Sequence, residues 1–230
     1  MPRNFRTTGY LGAAVIVMSI VLLIVFPSKT ASKVDGMITP VIAFEFLQTP
    51  EEAYQLFGAE PSPARDAMVA AMDLGNRLDF IYMILYTMFL FSFSTLAANE
   101  SGMILPGVGR VLAILILLGD VLENVQLLGI TGKLATGGFE CEIWYLGIFT
   151  WVKWGGIALT FLALAPYFMK GTTYARVTGL VGILVFLLGI ISLVHRSFVN
   201  EIFSLSVAVM FILMIVYCFI HRSAGVQVRV

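Results

Sequence analysis

Charge is scarce in this chain. Only 12% of its residues are Asp, Glu, Lys or Arg, and the 14 basic side chains balance the 14 acidic ones. A soluble domain carries about 25% charged residues, so a water-soluble fold is excluded. Zero net charge leaves neither a basic footprint for nucleic acid nor an acidic tail. Histidine is nearly missing as well. His195 and His221 fall at opposite ends of separate apolar runs, which excludes a His-rich zinc site or a bis-histidine haem within one chain. The two cysteines, Cys141 and Cys218, lie near opposite ends of different runs, so a disulfide is not expected and no metal-type spacing exists. G-x-S-x-G and a Gly-rich phosphate loop with its lysine are also lacking, which leaves nucleophilic hydrolysis and nucleotide use without support. No cofactor and no metal are expected.

What the chain has in abundance is apolar sequence. It is 59% hydrophobic with a mean hydropathy of +0.94, the composition of a helical multi-pass membrane protein. Six runs are long enough to cross a bilayer: residues 10–26, 80–98, 111–130, 143–169, 177–194 and 202–220. The first follows a short basic start with Arg3 and Arg6 and ends at Pro27. It is longer than the apolar core of a usual signal peptide, and an uncleaved first span is expected. The predicted fold is an all-α integral membrane protein, a six-transmembrane-helix bundle with a short helical segment, residues 28–79, between spans one and two.

The third run, RVLAILILLGDVLENVQLLGI from Arg110 to Ile130, carries Asp120, Glu123 and Asn124 near its middle. At i, i+3 and i+4 the three side chains share one stripe of a helix. An acid at mid-span costs roughly 2.5 to 3.5 kcal/mol on insertion scales, so that stripe must face protein and marks a functional site or a pairing partner. Lys153, in WVKWGG of span four, is the natural partner. With the two helices antiparallel, Asp120 lies about 15 Å in from one face and Lys153 about 15 Å in from the other at 1.5 Å per residue. A core of about 30 Å brings them to one depth. Lys153 is expected to pair with Asp120 or Glu123. The remaining acid is then protonated or hydrogen bonded to Asn124, Tyr86 or Tyr82.

Span two supplies those tyrosines. Asp79, Tyr82, Met83 and Tyr86 follow i, i+3, i+4, i+7 and form one polar and aromatic stripe. Tyr86 is too deep for an interfacial belt and should donate its hydroxyl inside the bundle. Tyr82 fits the belt and the cluster equally well.

Between spans one and two the chain turns polar and acidic. Thr49, Pro50, Glu51 and Glu52 form a T-x-x-E capping box with proline at the first helical position, and Gly58 stands where a C-terminal cap belongs. A short helix is therefore expected over 49–57. A second start at Ser62 and Pro63 should run on into span two, with Gly75 as a bend and Asp73 paired to Arg77 at i, i+4. The stretch VIAFEFLQ before the capping box is apolar around Glu45 and is read as lying on the membrane surface. In span five, Ala175, Gly179, Gly182 and Gly189 recur on one stripe, a packing surface for close helix approach. Trp144 reads as an interface anchor, Trp151 and Trp154 as bundle filling.

Orientation follows the positive-inside rule. Arg3, Arg6, Arg110, Lys170, Arg176, Arg222 and Arg229 would lie inside, close to span ends. Lys29, Lys33, Arg65, Arg77, Lys133 and Arg196 would be diluted over a longer, acid-rich outside length. Both termini are expected in the cytoplasm and residues 28–79 outside it.

The grouping of F-E-x-x-x-T-P-E at Phe44 to Glu51, L-D-F-x-Y at Leu78 to Tyr82, D-x-x-E-N at Asp120 to Asn124 and K-W at Lys153 and Trp154 resembles a family of uncharacterised bacterial multi-pass membrane proteins. The resemblance covers the first four spans, and spans five and six depart from it. It implies a place in the bacterial inner membrane and that these residues form one unit; it implies no catalytic role. Three functions fit the residues. A structural or partner-binding membrane subunit, with the lipid bilayer and other subunits or a second copy as partners, comes first. A proton-coupled or small-solute carrier using the buried acids is the alternative, followed by a lipid-directed enzyme with Asp120 or Glu123 as general base.

Overall fold

Five of the eight helices among the described residues start at a side-chain cap or a proline, and the long ones take their length from the apolar runs that follow. The computed structural model describes residues 4–221, which form α1 (Phe5–Val25), α2 (Pro40–Glu45), α3 (Pro50–Phe57), α4 (Pro63–Ser101), α5 (Ile104–Lys133), α6 (Glu140–Met169), α7 (Thr173–Val194) and α8 (Val199–Ile220). All but α2 and α3 are long and apolar enough to cross a membrane. The chain is thus the expected all-α, six-span bundle, with no strand among the described residues. Most helices run a turn or more past the apolar runs.

The six long helices form a closed ring. Each packs on its sequence neighbour from α4 to α8, and α1 fits between α8 and α4. Aromatic and sulfur side chains fill the interior: Phe89, Phe93, Phe161, Phe168, Phe203, Met210 and Met214 are all fully buried. Leu and Ile side chains such as Leu23, Ile24, Leu118, Leu180 and Leu205 point outward, the pattern of a lipid-facing surface. The small stripe on α7 faces α6. A Cβ at Gly182 would stand 3.1 Å from the Phe161 carbonyl oxygen, and one at Gly179 would stand 3.3 Å from that of Ala165.

Between α1 and α4 the chain folds into a cap over one end of the ring. The capping box forms with one difference: Thr49 Oγ1 accepts from the Glu52 amide, Glu52 reaches back past the Thr49 amide to that of Gln48 at 2.8 Å, and Gly58 ends α3 at a φ of +99°. Two distant residues hold the cap down. The Glu201 carboxylate at the start of α8 accepts from the Ile38 and Thr39 amides and the Thr39 hydroxyl at 2.7–2.9 Å. Arg196, between α7 and α8, pairs with Glu52.

Two expectations need correction. VIAFEFLQ does not lie on the membrane surface. Its first part forms α2, which enters the mouth of the ring and buries Ala43 and Phe44 against α5 and α6. The start at Ser62 and Pro63 runs on into span two as expected, in one helix of 39 residues, and Gly75 within it is a seat for Phe26, whose ring would lie 2.3 Å from a Cβ there. Asp73 accepts from the Thr131 hydroxyl on α5 at 2.7 Å, and no ion pair to the exposed Arg77 forms. Both described ends meet at the face opposite the cap, where the Phe5 ring packs on Tyr217 and His221. Arg3, Arg222 and Arg229 lie outside the described residues.

Candidate functional site: a buried polar cluster

The cluster forms because α5 and α6 approach unusually closely where their charges face each other. A Cβ at Gly119 would stand 2.7 Å from Val152 Cγ1 and 3.2 Å from the Lys153 amide nitrogen, while one at Gly156 would stand 2.6 Å from Ile116. Glycine at these two points lets the backbones meet. Asp120 lies as far before the end of α5 as Lys153 lies after the start of α6, so the two side chains reach the same level.

Lys153 is the centre. Its Nζ contacts Glu123, sits 3.0 Å from Glu45 Oε1 and 3.4 Å from Asp120 Oδ1, and rests 5.4 Å from the centroid of the Trp154 ring. The choice between Asp120 and Glu123 as partner is thus settled as both. Asp120 and Glu123 are 1% and 0% exposed. An ammonium in such surroundings is stabilised only when its partners are fixed, since desolvating each ion costs several kcal/mol. Here the partners are fixed. Tyr86 donates its hydroxyl to Asp120 Oδ2 at 2.5 Å, in keeping with its depth. Thr150 Oγ1 lies 2.7 Å from Glu123 Oε1 and 3.0 Å from the Glu45 carbonyl oxygen, so its single proton serves one or the other. Trp154 Nε1 donates to Glu45 Oε2 at 2.8 Å.

A second layer extends the cluster toward α4 and α1. Asn124 Nδ2 donates to Asp79 Oδ2 at 2.9 Å and to the Asn76 carbonyl at 3.0 Å. Tyr82 accepts from Ser19 of α1 at 3.2 Å and its ring lies 5.2 Å from that of Tyr86. It therefore belongs to the bundle and not to an interfacial belt. All seven residues singled out in the sequence, Asp79, Tyr82, Tyr86, Asp120, Glu123, Asn124 and Lys153, come together in one assembly.

No family model, curated protein or solved structure matches this chain. The chemistry of the site rests on its own geometry.

Three members were not among the residues expected here: Glu45, Thr150 and Trp154. Glu45 had a signal, being a lone acid in the apolar stretch VIAFEFLQ, the same anomaly that marks Asp120. Trp154 supplies an indole N–H as well as the bulk expected of it. Thr150 has no signal, because a threonine in a span ordinarily bonds its own helix. Among the described residues no three His, Cys, Asp or Glu side chains are arranged to hold a metal ion. The carboxylates converge on the ammonium. A second polar group lies at the opposite end of the ring, where Tyr167 donates to Glu100 at 2.9 Å and Glu100 meets His221 Nε2 at 2.9 Å.

A cavity of about 120 Å³ adjoins the cluster on the cap side. Glu45 and Thr150 line it together with Gln48, Ser192, Arg196 and Asn200; Asp120 and Glu123 do not.

Proposed function

We propose that this protein is a structural or partner-binding membrane subunit, in which the Lys153 cluster locks the cap to the bundle. The observation that carries this reading is the meeting of three chain segments on one ammonium: α2 through Glu45, α5 through Asp120 and Glu123, and α6 through Lys153 itself. A buried charge with that many fixed partners favours one arrangement of its neighbours, so helix register and cap position are specified together. Buried polar groups serve this role best where they fix register. In this reading the protein sits in a bacterial cytoplasmic membrane with both termini inside and the cap outside. Arg6, Arg110, Lys170 and Arg176, near helix ends on the face opposite the cap, support that orientation. Its partners are the bilayer and a second copy or another membrane subunit.

The test replaces charge and keeps shape. Glu45→Gln, Asp120→Asn, Glu123→Gln and Lys153→Met together retain acceptors for Trp154, Tyr86 and Thr150. The combined variant should remain folded and monodisperse in detergent, and both it and the wild type should leave an imposed pH gradient intact in proteoliposomes. Collapse of the combined variant would remove the lock from consideration as a replaceable structural device.

A proton-coupled carrier is the second reading, favoured by two observations. Glu45, Asp79, Asp120 and Glu123 share the cluster with a single lysine, an excess of carboxyl groups suited to loading protons. The cavity also reaches Glu45 and Thr150 from the cap side. Dissipation of the gradient by wild-type proteoliposomes, abolished by Glu123→Gln alone, would establish the carrier and displace the structural reading. The general-base reading lacks such support, since neither Asp120 nor Glu123 lines the cavity.

A further inference from the structure

The cavity beside the cluster has a wall that the lock does not use. It is formed by the end of α7, the α7–α8 turn and the start of α8, facing the Glu45 to Gln48 stretch of the cap and Gly147, Thr150 and Trp151 of α6. On that wall, Asn200 is 0% exposed and Ser192 is 1% exposed, and Asn200 Nδ2 and Ser192 Oγ have no hydrogen-bond partner. The amide orientation of Asn200 is fixed, because its Oδ1 accepts from the Ser197 amide at 3.0 Å. The group left without a partner is therefore the donor. Arg196 adds two more donors. Its Nη1 is held by Glu52, while Nε and Nη2 are buried and unpartnered. Nε and Nη2 form the side of a guanidinium that grips a carboxylate or phosphate through two parallel hydrogen bonds.

The neighbouring carboxylates are already engaged. Glu45 gives Oε1 to Lys153 and Oε2 to Trp154, and Glu52 gives Oε2 to the Gln48 amide and Oε1 to Arg196. What the wall leaves over is three N–H groups and a hydroxyl, each of which is costly to bury without a partner. The volume of about 120 Å³ accommodates several waters or a group of phosphate size, since one water needs roughly 10 to 15 Å³ by this measure.

We propose that this cavity binds an oxyanion of the phosphate class, held by Arg196 Nε and Nη2, Asn200 Nδ2 and Ser192 Oγ. Glu52 neutralises the guanidinium only on its far nitrogen and leaves Nε and Nη2 without a partner. Exposed Leu193 and Val194, at 58% and 81%, close α7 beside the cavity, which puts the site at the level where a membrane-crossing helix ends. The oxyanion can thus come from a lipid headgroup or from solution.

Binding is read from the thermal midpoint of the full chain in neutral detergent at constant ionic strength, with inorganic phosphate and with dihexanoyl phosphatidic acid as probes. Asn200→Asp keeps the acceptor for the Ser197 amide and removes the donor; Arg196→Lys keeps the charge opposite Glu52 and removes the paired N–H groups. A stabilising shift is expected in the wild type, with the apparent Kd at least tenfold weaker in both variants. A response to inorganic phosphate identifies a soluble oxyanion, and a response to the lipid probe alone identifies a headgroup. If neither probe shifts the wild type, or if both variants respond as it does, the site does not exist. Should the two variants fail to give a monodisperse protein, Ser192→Ala decides: a severalfold weaker response supports the site and an unchanged one overturns it.

Discussion

Removing the ammonium while leaving its acids in place isolates what Lys153 contributes. Lys153→Met keeps the unbranched stem, one atom shorter, and deletes the charge, stranding Glu123 and Asp120, which are 0% and 1% exposed, and the Glu45 carboxylate beside them. Breaking a buried pair by removing one partner costs about 3 to 5 kcal/mol. At about 2 to 4 °C per kcal/mol for a chain of this size, the thermal midpoint in detergent should fall by roughly 6 to 20 °C. Glu123→Gln, which keeps an acceptor for Thr150, should cost less. The double variant should be less damaged than the sum of the two, because each single change leaves the other charge without its partner. A coupling of about 1 to 3 kcal/mol is expected. The assay is a double-mutant cycle by thermal or denaturant unfolding in one detergent, with near-ultraviolet circular dichroism as the probe of packing. Additive effects within about 0.5 kcal/mol, or a Lys153→Met midpoint within a degree or two of wild type, would refute the claim that this ammonium holds the three segments together.

Other perturbations follow from the same geometry. Gly119→Val would drive a side chain into Val152, whose Cγ1 lies only 2.7 Å from where a Cβ would stand; a loss of about 1 to 3 kcal/mol is expected, and an unchanged midpoint would show that α5 and α6 need not meet so closely. Glu201→Ala removes the acceptor of the Ile38 and Thr39 amides, so the 28–62 stretch should become open to limited proteolysis while the six spans stay folded; equal protease resistance would count against the tether. Lys133 donates to Glu142 and holds that carboxyl below the usual range. A carboxyl with a lowered folded-state pKa contributes stability above its unfolded value and loses it as pH falls through the folded one. Lys133→Gln should therefore cost at most about 1 kcal/mol at neutral pH, since the pair is partly exposed, and nothing once Glu142 is protonated in both states; a cost that persists in acid would point to another cause.

The helices and the meeting of Asp120 with Lys153 were legible in the sequence because both depend on local quantities: apolar run length, cap chemistry and rise per residue. Thr49 and Glu52 announce α3 through residues three apart. Equal depth of Asp120 and Lys153 follows from counting along two antiparallel helices joined by a short turn. Glu45 was not legible as a member of the cluster. Its contact with Lys153 depends on the path of the loop after α1, and that path is set by Glu201 and Arg196, far along the chain. Tyr82 was legible only as one of two alternatives, and the choice falls to Ser19 on a helix that sequence spacing does not put beside it. Gly119 and Gly156 lie within apolar runs where a glycine has no distinctive periodicity, so the closeness of α5 and α6 was visible only through its result.

Ring closure sets an order on biosynthesis. The inner side of α1 is completed by α8, where a Cβ at Gly12 would lie 2.5 Å from Ile215 and Gly9 abuts Cys218, so the first helix to enter the bilayer waits for the last before its contacts are whole. A ribosome that stalled before residue 199 would release an intermediate of five spans with Phe5 and the central phenylalanines open along one seam, a lesion that membrane proteases could recognise from within the lipid.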